Sequence, residues 1–225
     1  MCLSVFVAYN SISLYLNMRL LLITALLAIS FHTYGKKIQG TIILNGNSRE
    51  VTFDIKVPLL GYEPNFERIQ YKVRYYDESG KKQTLRPGDA DEIRFKYAGM
   101  EVRMISRPNT LGSGGIFSTA SKIFLKLEID GPLKLYRYYY KQSAPAYYGG
   151  AGGGYSPGAS YTVENLIFQK GNGPLKQPRA LGWKKDMLEY FSDCPALREL
   201  IESKDLRRKE IEAIVMYYNR TCGKR

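Results

Sequence analysis

The sequence predicts an α+β fold in which an antiparallel β-sandwich or open barrel precedes a small three-helix segment at the C-terminal end. Three observations lead to this prediction. Apolar and polar residues alternate through residues 36–170, turn sequences divide that region, and the period becomes helical after a Gly-Asn-Gly-Pro sequence at 171–174. We therefore expect a β-rich domain over residues 36–170, a linker over 171–182 and a helical segment over 183–222.

The β-rich region has the pattern of strands with one buried and one solvated face. Apolar residues occupy every second position in four stretches, at 51–57, 69–75, 93–97 and 125–129. The Asn45-Gly46 pair predicts a type I′ hairpin between two such runs. Further turns are predicted at 77–80, 87–88 and 130–132.

Two stretches interrupt this pattern. Residues 109–121 predict a mobile loop. Residues 142–160 hold a low-complexity Gly- and Tyr-rich insert, which predicts an exposed, disordered loop because ordering a Gly-rich backbone costs much conformational entropy. This loop would connect strands at 133–140 and 161–168.

The helical segment shows three apolar stripes. The first is formed by Trp183, Met187, Leu188 and Phe191. Asp193 is expected to cap a second helix with Pro195 in its first turn. Asp205 is expected to cap a third helix, whose stripe is formed by Ile211, Ile214, Val215 and Tyr218.

The first 35 residues have the parts of a secretory signal peptide. Arg19 precedes an apolar run over residues 20–31, and small residues precede a polar start at Lys36. We expect cleavage after Gly35 and consider Met18 a candidate for the true translational start. The run is about 12 residues, short of the ~20 that span a bilayer, so no membrane span is expected in the mature chain.

Processing would change the chemistry of the chain. Residues 1–35 hold Arg19, Cys2 and His32, the one histidine among the 225 residues, and no acid, so the net charge would fall from +12 to +11. The mature chain would lack the imidazole that Ser-His-Asp triads and many zinc sites need. Its two cysteines, Cys194 and Cys222, are expected to form one disulfide. A catalytic thiol is the alternative, but it would lack a histidine to activate it.

Two C-terminal sequences, YFSDCPAL at 190–197 and IVMYYN at 214–219, resemble the ending of a group of uncharacterised exported bacterial proteins. In those proteins a β-rich region with a segment similar to RPGDADEI (86–93) precedes this ending. The resemblance covers most of the mature chain. It implies export and this architecture, and it implies no activity.

Other motifs point to structure rather than to chemistry. The Gly-rich stretches 112–115 and 149–154 lack the Lys-Ser or Lys-Thr of a phosphate loop. Asp89, Asp91 and Glu92 lack the remaining ligands of an EF-hand, so we interpret them as a solvated turn. No metal site and no cofactor are predicted. A hydrolase that uses two carboxylates stays open, with candidates Asp54, Glu128 and Glu164.

Basic residues fill polar positions of the predicted strands, and tyrosines cluster near some of them. Basic side chains attract polyanions, and tyrosine rings stack on sugars. The alternative is that these positions only provide solubility and protect strand edges. The candidate binding residues are Lys72, Arg74, Arg94, Lys96, Lys134, Tyr136, Arg137 and Tyr138.

We therefore expect an exported, non-enzymatic binding or structural protein of the periplasm, cell surface or extracellular space. Its basic, Tyr-rich face would bind an anionic envelope glycan, a lipid head group or an envelope protein. Nucleic acid is not expected as a partner. The alternative is a carboxylate-dependent hydrolase acting on envelope glycans.

Overall fold

The structure is a computed structural model that describes residues 35–57, 63–111, 120–148, 155–156 and 158–223. The chain divides into two compact units. One comprises residues 1–35 and 56–64 and lies mostly outside the described residues. The other comprises residues 36–55 and 65–225 and contains the candidate sites.

Within the described residues, nine strands form one open antiparallel sheet, and a two-stranded ribbon is separate from it. The strands of the large sheet are β1 (Gly35–Leu44), β2 (Asn47–Lys56), β3 (Val73–Tyr76), β4 (Lys82–Leu85), β5 (Glu92–Tyr97), β6 (Met100–Pro108), β7 (Lys122–Ile129), β8 (Leu133–Ser143) and β11 (Ser160–Lys170). Their order across the sheet is β11-β8-β7-β6-β5-β1-β2-β3-β4. The ribbon pairs β9 (Tyr147–Tyr148) with β10 (Tyr155–Ser156).

The helices are short. They are α1 (Phe66–Ile69), α2 (Trp183–Tyr190), α3 (Pro195–Glu202) and α4 (Ile211–Thr221), and a 3₁₀ turn (Arg208–Glu210) precedes α4. The predicted α+β class is confirmed. The strands belong to one open sheet rather than to two hydrogen-bonded sheets of a sandwich.

Several local predictions can be compared with the structure. Asn45 and Gly46 both have positive φ, 51° and 79°, as a type I′ hairpin requires. Strands β8 and β11 extend beyond the predicted 133–140 and 161–168. The predicted insert 142–160 is not wholly a loop, because its ends belong to β8 and β11 and residues 147–148 pair with 155–156 as the ribbon. Residues 149–154 and 157 of the insert, and residues 112–119 of the other predicted loop, lie outside the described residues.

The two faces of the sheet carry different apolar clusters. We call the side of Ile93 and Met104 the front face and the side of Arg94 and Arg103 the back face. The front-face cluster is built mainly from β1, β2, β5 and β6, and the back-face cluster from β6, β7, β8 and β11. A third cluster, the helical cluster, packs α2, α3 and α4 against Leu133, Leu135 and Phe168.

One predicted strand was wrong in its first half. Residues 69–75 alternate like a strand, but Ile69 ends α1 and β3 begins at Val73. Asn65 caps α1 by accepting a hydrogen bond from the Arg68 amide (3.0 Å), and Phe66 and Ile69 are both buried on one side of the helix. The helical spacing of this apolar pair outweighs the period of two.

Gln70, directly after α1, joins two strands that separate. Strands β7 and β8 pair only between Lys126↔Arg137 and Ile129↔Leu135. Beyond that stretch, the Gln70 side chain accepts from the Tyr139 amide (3.0 Å) and donates to the Tyr139 carbonyl (3.1 Å). The Gln70 carbonyl accepts from the Phe124 amide (2.9 Å). A fully buried glutamine thus takes the place of a strand between β7 and β8.

Asp193 and Asp205 do not cap helices as predicted. Cys194 occupies the N-cap of α3, and Arg207 and Glu210 precede the 3₁₀ turn and α4. Asp193 accepts instead from Lys170 Nζ (2.5 Å) and from the Tyr218 hydroxyl (2.6 Å). It therefore ties β11 to α4, while Asp205 accepts from the Ser203 hydroxyl (2.6 Å).

Cys194 and Cys222 lie in a disulfide arrangement with a Cα–Cα distance of 5.7 Å, consistent with the predicted pair. Nearby, the Asn219 side chain accepts from the Leu133 amide (2.8 Å) and donates to the Leu133 carbonyl (2.9 Å). The C-terminal end of α4 is therefore attached both to the start of α3 and to the first residue of β8.

Candidate functional site

The two tyrosines of the predicted binding face are fully buried. Tyr136 and Tyr138 belong to the back-face cluster. The Tyr136 hydroxyl donates to Gln169 Oε1 (3.0 Å), and the Tyr138 hydroxyl lies 3.2 Å from that of Tyr71. The prediction that they offer rings to a ligand is wrong, because β8 is covered on both faces and its second face is not solvated.

Three of the predicted cations are neutralised by neighbouring acids. Arg94 Nε lies 2.6 Å from Glu92, and Lys134 Nζ lies 3.9 Å from Asp130. Arg137 forms ion pairs with Glu128 (2.7 Å) and with Glu164. Arg137 is also on the front face, opposite Lys126, whereas Arg94 is on the back face. These residues do not form one basic surface.

The other three predicted cations are exposed. Lys72 precedes β3, Arg74 lies on β3 opposite Asp54, and Lys96 lies on β5 opposite Glu101. Among the described residues none of the three cations forms an ion pair with a carboxylate, and Asp54 pairs with Lys82 instead. Their part in binding stays a prediction.

The back face holds a connected set of ion pairs, which we call the Glu92 cluster: Glu92, Arg94, Arg103, Asp130 and Lys134. Arg103 donates to Glu92 Oε1 (2.7 Å) and to Asp130 Oδ2 (2.9 Å). Four members of the cluster, Glu92, Arg103, Asp130 and Lys134, line a pocket of about 230 Å³ together with Arg107. Arg107 is held there by neutral acceptors, the Tyr136 hydroxyl (3.1 Å) and Gln169 (2.9 Å).

The ion pairs lower the pKa values of the carboxyl groups. Burial alone would raise the pKa of Glu92, but hydrogen bonds from Arg103 and Arg94 outweigh burial and lower the pKa below its ordinary 4.5. The pKa of Glu128 is lowered in the same way, against burial, by Arg137 and Lys126. A general acid in a glycosidase needs a raised pKa, so this direction is opposite to that chemistry.

The other carboxylates considered for a hydrolase are also engaged. Asp54 pairs with Lys82, and Glu164 pairs with the same Arg137 that holds Glu128. Glu128 and Glu164 share one guanidinium, and both carboxylates are engaged in charge-assisted hydrogen bonds with it. No observation in the described part of the molecule favours the hydrolase.

The Glu92 cluster predicts a pH dependence of stability. Because the pKa of Glu92 is lower in the folded state, the ionised form stabilises the fold above about pH 4.5, and this contribution is lost as the pH falls through the lowered folded-state pKa. We expect the free energy of unfolding of Glu92→Gln to fall less steeply than that of the unmodified protein between about pH 5 and pH 3. Urea denaturation at a series of pH values measures both slopes, and equal slopes would show that Glu92 does not contribute.

A larger groove lies where the β1–β2 hairpin meets β3 and β4. Its volume is about 460 Å³, within the usual range for small-molecule sites. Apolar side chains and one tyrosine ring alternate with polar groups along its walls. The lining residues are Ile42, Leu44, Asn45, Asn47, Ser48, Arg49, Tyr75, Thr84, Leu85 and Asp89. We call it the Tyr75 groove.

Some side chains of the Tyr75 groove are held by packing, and others have polar groups that are not engaged by the protein. Ile42 and Leu85 are buried, and Tyr75 packs against the front-face cluster. The Arg49 guanidinium lies 5.4 Å from the centre of the Tyr75 ring and donates to the Tyr75 hydroxyl (3.1 Å). Within the described residues, Arg49 has no carboxylate partner, and the side chains of Asn45 and Asn47 form no hydrogen bond with the protein.

Sequence reasoning missed this groove. Arg49 and Tyr75 are 26 residues apart, and they meet only because β2 pairs with β3 as the pairs Phe53↔Tyr75 and Thr52↔Tyr76 define. The alternation in β3 predicts that Tyr75 lies on an apolar face, and the Asn45-Gly46 pair predicts the position of the hairpin. Nothing in either signal fixes the strand order that brings them together.

Within the described ranges, no group of three or more His, Cys, Asp and Glu side chains is arranged to hold a metal ion. None of the helices that the structure describes is long and apolar enough to cross a membrane.

Comparison of the chain with known proteins finds no matching family model, no significantly similar curated protein and no significantly similar solved structure, so the fold and the Tyr75 groove are the basis for a functional proposal.

Proposed function

We propose that this protein is an exported, non-enzymatic binding protein of the cell envelope, and that it binds an anionic glycan in the Tyr75 groove. The observation that carries the proposal is the Arg49–Tyr75 pair: a guanidinium without a carboxylate partner lies beside an aromatic ring at the edge of a groove. Export rests on the signal sequence at 19–35, and the disulfide arrangement is consistent with an oxidising compartment.

The chemistry of the groove suits a charged sugar. An aromatic ring packs against the C–H face of a sugar, and planar amides such as Asn45 and Asn47 exchange hydrogen bonds with adjacent hydroxyls. A guanidinium binds a carboxylate, sulfate or phosphate with two parallel hydrogen bonds. The net charge, +12 for the full sequence and +11 after the expected cleavage, would attract a polyanion from solution and speed its association.

The finer architecture belongs to the same proposal. We infer that the open sheet curls towards a barrel and that α2, α3 and α4 act as one three-helix segment over β8 and β11. In this arrangement the helical cluster and the Tyr75 groove lie on different strands, because the groove uses β1–β4 at the other end of the strand order.

Titration calorimetry tests the proposal by measuring the affinity for a glucuronic-acid oligosaccharide. A neutral glucose oligosaccharide of equal length is the control. We expect Arg49→Met to weaken binding of the acidic oligosaccharide about tenfold, the loss of one charge-assisted contact. Lys96→Met removes an exposed cation of the basic face predicted from the sequence, outside the Tyr75 groove, and should change the affinity less than about twofold.

The affinity should also fall as salt is raised, because exposed charges are screened. Equal affinity for the acidic and neutral oligosaccharides would contradict the role of Arg49. Equal effects of the two substitutions would place binding on the diffuse positive charge instead of the groove, and no binding of the acidic oligosaccharide at low salt would refute the proposal.

A further inference from the structure

Leu181 is the most exposed of the large apolar side chains that the structure describes. It is 91% exposed, and the next, Met100, is 67% exposed. Leu181 lies in the turn that leads into α2, where Gly182 has a φ of 74°, a conformation that residues with a Cβ rarely adopt. The turn therefore presents an aliphatic side chain to solvent directly before α2 begins at Trp183.

Other apolar groups lie next to Leu181. A shallow depression of about 650 Å³ follows it in the chain, lined by Ala180, Gly182, Trp183, Lys184, Lys185 and Leu188. Trp183 and Leu188 pack against the helical cluster but are only partly buried, so part of each side chain stays accessible. We call Leu181 and the lining of this depression the Leu181 patch. It combines an aliphatic side chain, an indole ring and two lysines.

The charges around the patch are mainly positive. Residues 176–189 contain four cations and two acids, namely Lys176, Arg179, Lys184, Lys185, Asp186 and Glu189. Asp186 is neutralised by Arg179 through two hydrogen bonds of 2.9 and 3.0 Å. Neither lysine of the depression forms an ion pair with a carboxylate of the described residues. Lys184 donates instead to the Glu202 carbonyl (3.0 Å), and the Glu202 carboxylate pairs with Arg198 (3.8 Å).

The depression itself is lined by two lysines and by no carboxylate, which favours an anionic occupant. A lipid bilayer suits this patch better than a protein does. Lysine is depleted at the centres of protein interfaces, whereas at a bilayer its alkyl chain covers apolar groups and its ammonium group reaches the head groups. Indole rings are enriched at the boundary between head groups and acyl chains. A second copy of the chain would bring like charges together.

We propose that the Leu181 patch binds the surface of a bilayer that contains anionic lipids. Leu181 would enter the acyl region, and Trp183 would lie at the level of the head groups. The ammonium groups of the two lysines would contact the lipid phosphates. One weak apolar anchor holds a protein only reversibly, so the apolar and the basic parts are both needed. The patch belongs to α2 and the turn before it, whereas the Tyr75 groove uses β1–β4, so this inference does not rest on the glycan proposal.

Trp183 is the one tryptophan of the chain, so tryptophan fluorescence reports directly on the patch. The test records the emission of the full chain with vesicles of equal parts phosphatidylglycerol and phosphatidylcholine, and with vesicles of phosphatidylcholine alone. Every sample carries Leu22→Asp and Leu27→Asp, because the apolar run at 20–31 can itself enter a bilayer. With the mixed vesicles we expect a blue shift and quenching by brominated acyl chains. The affinity for phosphatidylcholine alone should be at least tenfold lower.

Replacement of Leu181 by serine should weaken binding to the mixed vesicles about tenfold, because the transfer of its side chain out of water is lost. Met100→Ser is the matched control. It removes an exposed apolar side chain from the start of β6, away from α2, and should change the affinity less than about twofold. Equal losses for Leu181→Ser and Met100→Ser would overturn the role of the patch.

The basic part is tested by Lys184→Gln with Lys185→Gln, which should weaken binding about thirtyfold. Lys72→Gln with Lys96→Gln makes the same change of charge elsewhere and should cost less than about threefold. Equal losses for the two pairs would place binding on diffuse charge and overturn the proposal, as would emission that brominated lipids do not quench. A blue shift that appears without vesicles as the protein concentration rises, and that Leu181→Ser abolishes, would overturn it in favour of a second copy.

Discussion

Replacement of Gln70 by alanine is expected to lower the free energy of unfolding by about 3 kcal/mol, because two buried backbone groups lose their partners. The Gln70 side chain is the hydrogen-bond partner of both the amide and the carbonyl of Tyr139, at 3.0 and 3.1 Å. Its own exposure is zero, so water does not reach this position from the surface in the folded state. Truncation would also leave a cavity between β7 and β8.

The position of Gln70 explains why the effect should be large. Phe124 would face Tyr139 if the ladder of Lys126↔Arg137 continued, but the Gln70 carbonyl takes the Phe124 amide instead. Gln70 therefore supplies hydrogen bonds to the backbone of both strands where their own ladder has ended. Phe66, at the start of the same helix, stacks on the Tyr139 ring with centroids 5.1 Å apart, so loosening Gln70 would loosen this contact as well.

Denaturation with urea at neutral pH measures the effect. Gln142→Ala is the matched control, because Gln142 is an exposed amide on the same strand β8, and its loss should cost less than about 0.5 kcal/mol. Gln70→Glu gives a second check. A neutral carboxyl can both donate and accept, so this variant should recover stability relative to the unmodified protein as the pH falls towards about 4. A loss for Gln70→Ala no larger than that for Gln142→Ala would show that Gln70 is not needed as a bridge.

Local patterns in the sequence predicted those parts of the fold that neighbouring residues determine. The period of two located the strands that contain Phe53, Ile93 and Leu125, and the Asn45-Gly46 turn follows from the ease with which both residues adopt positive φ. The apolar stripe of Ile211, Ile214 and Val215 located α4. In each of these, residues within one turn or one strand carry the signal.

Features that depend on strand order were not predicted. Tyr136 and Tyr138 look like residues of a solvated face until β6, β7 and β11 are known to bury that face of β8. Arg137 looks like a free cation until pairing places Glu128 and Glu164 beside it. Alternation within a strand tells which residues share a face. It does not tell what covers the face, and the expected exposure of Tyr136 and Tyr138 was wrong for that reason.

The same limit applied to Asp193. Its position before Cys194-Pro195 is typical of an N-cap, but Lys170 and Tyr218 are distant in sequence and supply stronger partners. A charge-assisted hydrogen bond exceeds a cap in strength when the partner is already held in place by packing. Lys170 is held in this way, with its ammonium group 4.7 Å from the Tyr190 ring centre and 4.9 Å from that of Tyr218.

Removal of the Cys194–Cys222 bond is the second change from which we expect a large effect. The two cysteines are 28 residues apart, and closing a loop of that length contributes about 3–4 kcal/mol in the chain-entropy model. The loop contains α3, the 3₁₀ turn and α4. These elements contact the sheet through Leu133, Leu135 and Phe168, while most contacts of the strands lie outside the loop. We therefore expect the helical cluster to open before the sheet does.

Hydrogen exchange on the double variant Cys194→Ala, Cys222→Ala, in a Cys2→Ser background, separates local from global opening. Amides of α3 and α4 should exchange faster, while those of β5 and β6 keep most of their protection, since the front-face cluster receives no residue from α2, α3 or α4. The single change Cys2→Ser is the control and should leave both sets unchanged. If the strands and helices lost protection together, the helical cluster would unfold in one cooperative unit with the sheet. If neither lost protection, the bond would not be a source of stability. The same conclusion would follow if mass measurement found two free thiols in the oxidised protein.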